Sequence, residues 1–104
     1  MQKPQRTGLS AAEVAVDLRT DLAPGDEFTS VRTEIDGTPH DHSAFLSEPY
    51  TAGVRVAEVD GLDPGPTRVL VSLLDARART VASREVRVDL SGARLLTVVI
   101  ARTC

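Results

Sequence analysis

Apolar residues recur at every second position through much of this chain, and glycine or proline punctuates the runs. Val14, Val16 and Leu18 alternate with Ala15, Asp17 and Arg19, and Val31, Thr33 and Ile35 alternate with Arg32, Glu34 and Asp36. A period of two puts one set of side chains on each face of a β-strand, whereas an amphipathic helix needs a period of 3.6. Turn signals recur about every 8 to 12 residues, the spacing of an all-β sandwich. Ser10 followed by Glu13 has the form of a helical capping box, but the alternation that follows outweighs it.

About seven strands follow from this pattern. The first covers Glu13 to Thr20, Pro24-Gly25 turns the chain, and the second ends at Asp36-Gly37. Gly53 to Val59 forms another, with Val54 and Val56 on one side and Arg55 and Ala57 on the other. Pro64, Gly65 and Pro66 force a corner ahead of Val69, Val71 and Leu73. Leu70 and Leu74 occupy the opposite parity there, so that strand is expected to be central or covered on both faces. In Thr80 to Leu90, Val81 is out of phase with Val86, Val88 and Leu90, and a bulge near Ser83 to Glu85 would reconcile them. Leu95 to Ala101 closes the set. Thr38 to Ala52 shows no clear period; a loop of that length usually carries function or hides a short strand, here expected over Ser43 to Leu46. The expected fold class is all-β: a single antiparallel β-sandwich of about seven strands, Greek-key type, over 13–104. A flexible arm containing Pro4 and Gly8 is expected over 1–12.

A chain of 104 residues buries about 65% of its unfolded surface and can build one core without metal or disulfide staples. Phe28, Phe45 and Tyr50 are the only aromatics, so the core must be aliphatic. The formal charge is -3 and the arginines are spread among 15 acidic residues. Nucleic acid, which requires a clustered basic footprint, is not an expected partner. No run of about 18 apolar residues is present to span a bilayer as a helix, and MQKPQRTGLS lacks the apolar segment of a secretory leader. Cys104, the single cysteine, reads as a free terminal thiol or as one that pairs with sequence beyond this chain.

Gly61-Leu62-Asp63-Pro64-Gly65, followed by Val69, Val71, Leu73 and Asp75, resembles the G-L-x-P-G-x-Y-x-V-x-V corner of fibronectin type III domains and of carboxypeptidase-regulatory-like (transthyretin-like) domains. Thr67 or Arg68 stands where those families carry tyrosine. VDLRTDLAPGDEF, VRTEIDG, VRVAEVDGLDPG and REVRVDL with LLTVVIARTC are similar to sandwich domains near the N-termini of secreted bacterial surface proteins, including lipoproteins. The resemblance implies an extracytoplasmic, non-catalytic structural or interaction module whose partners are neighbouring domains or another protein. No cofactor is expected, and the fold by itself does not set the function.

Candidate chemistry is sparse. His40, Asp41 and His42 offer two imidazoles and a carboxylate suited to zinc, copper or nickel, but Asp36 or Glu48 would have to complete the shell. The favoured reading is a solvated polar loop. A metal or carbohydrate site in the loop 38–50 is the alternative function, and a small metal-dependent hydrolase a third, although no G-x-S-x-G context is present. Asp17, Asp21, Asp26 and Glu27 lack calcium-loop spacing and read as a solvated acidic turn. Phe45 and Tyr50 form the aromatic pair available to anchor a partner, with Phe45 expected to belong to the core.

Overall fold

The computed structural model describes residues 11–102. Its elements are β1 (Ala12–Thr20), β2 (Ser30–Ile35), β3 (Thr38–Ser43), β4 (Val54–Leu62), β5 (Gly65–Leu74), β6 (Thr80–Leu90) and β7 (Ala93–Ile100). One sheet has the order β4-β1-β7 and the other β3-β2-β5-β6. The chain is all-β, with two sheets enclosing the core. Among the described residues no helix is long and apolar enough to cross a membrane. The expected arm lies, up to residue 10, outside the described residues, as does Cys104. The sandwich itself starts at Ala12, a fully buried residue one position ahead of the expected boundary.

The core follows the period of two. β1 is central in its sheet and buries Ala12, Val14, Val16, Leu18 and Thr20. Each fully buried Val or Leu contributes about 1.5 to 3 kcal/mol of transfer free energy. β5 is central in the other sheet, as its two apolar parities required. Val69, Val71 and Leu73 point inward, and Ser72 and Leu74 are also buried on the opposite parity. Thr33, on the inner face between Val31 and Ile35, is fully buried and its hydroxyl has no hydrogen-bond partner among the described residues.

Three details depart from simple alternation. Ala57 is buried together with Val56, because a register shift between Val16 and Asp17 lets two β4 residues face inward in succession. The irregularity expected near Ser83 to Glu85 falls instead opposite Leu73 and Leu74, which pair with Ala82 and Thr80. Val81 is thereby skipped and left 42% exposed, so it needs no place in the core. One strand pair is parallel. β7 runs beside β1 from Glu13 opposite Ala93 to Thr20 opposite Ile100, while the other pairs are antiparallel.

The stretch from Thr38 is not a loop at its start. Asp36 and Gly37, with φ of 48° and 88°, have the positive dihedrals of a two-residue type I′ turn. They fold Thr38–Ser43 back onto β2, and the short strand expected over Ser43 to Leu46 ends where it was to begin. β3 escapes the apolar period because it is an edge strand. His40 and His42 take the inward parity, and Pro39 costs no central ladder bond.

The Gly-Leu-Asp-Pro-Gly corner carries the chain from β4 in one sheet to β5 in the other. Gly61 (φ 69°) and Gly65 (φ 122°) supply dihedrals that other residues rarely adopt. Leu62 packs against the core, and Thr67, near the position of the expected tyrosine, is buried with its hydroxyl donating to Gly65 O. Strand ends thus gather at two poles. One pole carries Asp36–Gly37, Asp63–Pro64 and Ser91–Gly92; the other carries 21–29, 44–53 and the Asp75–Arg79 hairpin.

Candidate functional site

The pole with the long connections holds the most specific side-chain arrangement. After β3, Ala44 N–H donates to Thr29 O (2.9 Å), tying the second connection to the first. A tight turn follows. Glu48 N–H donates to Phe45 O (3.0 Å), and Tyr50 N–H donates to Glu48 O (3.0 Å). Ala52 and Gly53 N–H both donate to Pro49 O, and Thr20 N–H donates to Tyr50 O, which fastens the segment to the end of β1.

Glu48 is the hub of this turn. Its Oε1 accepts from Phe45 N–H (2.9 Å) and from Tyr50 O–H (3.0 Å), and its Oε2 lies 2.9 Å from His42 Nε2. Burial works to raise the Glu48 pKa, but the bonds from Phe45 N–H, His42 and Tyr50 outweigh it and hold the carboxyl below the usual glutamate range. Tyr50 is pushed well above the usual phenol value, first by burial and then by the adjacent Glu48. Its ring meets Phe28 edge-on, with centroids 5.3 Å apart and planes at 81°, a favourable aromatic geometry. Phe28 is fully buried and Tyr50 is 2% exposed.

The roles expected of the two loop aromatics are exchanged. Phe45 is 60% exposed, not part of the core, and Tyr50 is buried rather than offered to a partner. The reason is geometric: Tyr50 lies where the segment rejoins β1, whereas Phe45 begins the outward turn. Leu46 stands beside Phe45 at 79% exposure. The two loops are neighbours at this point, since a Cβ built at Gly25 would lie 3.8 Å from Leu46 Cβ. Leu46 and the organising role of Glu48 escaped the sequence reading. The available signal was a lone acid among Ala44, Phe45, Leu46, Ser47 and Pro49.

Of the metal-ligand candidates only His42 and Glu48 meet, and the set as a whole does not converge. His40 and His42 share the inward face of β3, and Asp41 falls on the opposite face. There its carboxylate is held by Arg32 through Nε (2.8 Å) and Nη2 (3.1 Å), which lowers its pKa. Asp36 is taken by Arg68 N–H, and Glu48 by the turn. Among the described residues no group of three or more His, Cys, Asp or Glu is placed to hold a metal ion.

Asp17, Asp21 and Glu27, three of the four acids around the first turn, are similarly engaged. Asp17 pairs with Arg55 across β1 and β4. Asp21 accepts from Arg102 N–H (2.8 Å), and both Glu27 carboxylate oxygens accept from the Arg102 guanidinium (2.5 Å each). The Arg102 bonds, aided by Ala23 N–H, bring the Glu27 pKa down to about 2. Arg102 therefore fastens the end of the described chain to the first loop.

No family model, curated protein or solved structure matches the chain. What the loop pole offers chemically is two adjacent apolar side chains on a support whose polar groups already satisfy one another.

Proposed function

We propose that this chain is a non-catalytic β-sandwich module, fibronectin type III-like or transthyretin-like, serving as a structural or interaction domain of an exported bacterial protein. The observation that carries the interaction role is the exposure of Phe45 (60%) and Leu46 (79%) on a turn fixed from beneath by Glu48. Large apolar side chains held rigid lose little conformational entropy on binding and suit the centre of an interface. The partner is a neighbouring domain or another protein with an apolar recess. The alternative metal reading lacks this support, because Asp41 faces away from His40 and His42.

A photo-crosslinking residue placed at position 46 in the bacterial host tests the reading, with position 34 on the sheet face as control. One discrete protein conjugate is expected from position 46, lost when Phe45 is changed to Ser, and none from position 34. Equal labelling from both positions, or no conjugate from position 46, overturns it. Fractionation of the same cells must place the conjugate outside the cytoplasm for the exported role to stand.

A further inference from the structure

Among the described residues the four edge strands of the sandwich are β4, β7, β3 and β6, and they are not equally protected. β3 carries Pro39 and the Asp41 ion pair. β4 has two register shifts against β1 and carries Arg55, Glu58 and Asp60. β6 presents Arg84, Glu85, Arg87 and Asp89. Proline, bulges and charge are the devices that prevent edge-to-edge pairing. β7 has none of them from Leu95 to Ile100; its register with β1 is unbroken and its one charged residue is Arg94.

The direction of the β7 main chain can be read from two bonds. Glu13 N–H donates to Gly92 O (2.9 Å), so the even-numbered residues of β7 turn their peptide groups toward β1. Leu95, Thr97 and Val99 turn theirs to the free edge, where Arg84 Nη1 donates to Val99 O (3.0 Å). The side chains of the same three residues lie on the outer face of the sheet, with Leu95 58% and Val99 42% exposed. Both the hydrogen-bonding groups and the apolar side chains on offer therefore belong to Leu95, Thr97 and Val99.

We propose that the free edge of β7 is an interface between two copies of this chain, paired antiparallel about Thr97. In that register Thr97 meets Thr97 of the second copy and Leu95 meets Val99, so each apolar residue finds an apolar one. Parity also agrees, because all the facing residues are odd-numbered and direct their peptide groups at one another. No like charges oppose each other from Leu95 to Val99, and the three-stranded sheets of the two copies join into one of six strands. The second copy's Leu95 N–H replaces Arg84 as the donor to Val99 O, which makes Arg84 a guard that tunes the association. The surface is separate from the Phe45–Leu46 turn and does not depend on the function proposed for it.

Edge pairing of this length is a small interface, so its dissociation constant is expected on the order of 100 µM. Sedimentation velocity from about 10 µM to about 1 mM is expected to show a concentration-dependent species of twice the 11.1 kDa chain mass. Thr97→Lys, which sets a charge against its own copy, is expected to abolish that species without changing the melting temperature. Val99→Lys, which sets a charge against Leu95 at both ends of the pairing, is expected to abolish it as well and serves should Thr97→Lys fail to fold. Arg84→Ala is expected to tighten the dimer about 25-fold, since the two-fold pairing frees two Val99 carbonyls from competition at about fivefold per hydrogen bond. A wild-type chain that stays monomeric at about 1 mM, or a dimer that survives both lysines, overturns the proposal. So does loss of the dimer on changing Phe45 and Leu46 to Ser, since that places the contact at the loop pole.

Discussion

At one pole of the sandwich the chain reverses within two residues, at Asp36–Gly37 and Ser91–Gly92, where positive dihedrals make the turns and a reciprocal pair of bonds between Asp36 and Arg68 N–H and C=O adds a tie to β5. At the other pole, 21–29 and 44–53 are held by side chains that meet across the fold. Phe28 packs on Tyr50, Glu48 gathers His42, Phe45 N–H and Tyr50, and Arg102 grips Asp21 and Glu27. The difference shows how a small domain stiffens loops that carry exposed apolar residues: a buried aromatic pair and one carboxylate replace turn chemistry.

The strongest test of the contrast is Phe28→Ala, which removes half of the aromatic pair. It is expected to cost about 3 to 5 kcal/mol in denaturant unfolding, the usual result of emptying a core aromatic site. A loss below 1 kcal/mol would mean that the loop pole does not rest on this contact. Glu48→Ala leaves three donors without their acceptor and should cost about 2 to 3 kcal/mol at neutral pH. The Glu48 pKa is lowered in the folded chain from its ordinary 4.5, so its contribution is complete above that value and is lost as pH falls through the lowered one. The gap between wild type and Glu48→Ala should therefore narrow on acidification below 4.5; a gap that widens would refute the hub.

Gly37→Ala examines the opposite pole, where a Cβ would meet nothing within 4 Å and φ is 88°. Only backbone strain is at stake, and the expected cost is about 1 to 2 kcal/mol in the same unfolding assay. A neutral result would show that this turn, too, is set by tertiary contacts. The smallest effect is expected from changing Phe45 and Leu46 together to Ser. Their exposure predicts a stability change within about 0.5 kcal/mol, and a larger loss would place them in the fold instead of on its binding surface.

Legibility followed the same divide. The tight pole was readable because Asp-Gly, Ser-Gly and the Gly-Leu-Asp-Pro-Gly corner act through the conformations of the residues themselves. The loop pole was not, because whether Phe45 or Tyr50 turns inward depends on Phe28 and Thr20, residues far away in the chain. β3 was hidden for a related reason: an edge strand with His40 and His42 on its inward parity has no aliphatic period to find.

By itself the sequence determined the strand-forming runs, the all-β class, the central position of β5 and the corners between sheets, since period and turn residues are local properties. Only the tertiary structure decided that β7 runs parallel to β1 with its other edge paired to no strand among the described residues, that Ala57 turns inward at a bulge and that Asp41 parts from its flanking histidines. It also decided that Glu48 lies beneath an exposed Phe45 and Leu46. Each of these depends on pairing between distant segments, whose register is set by burial of the whole core and by no residue alone.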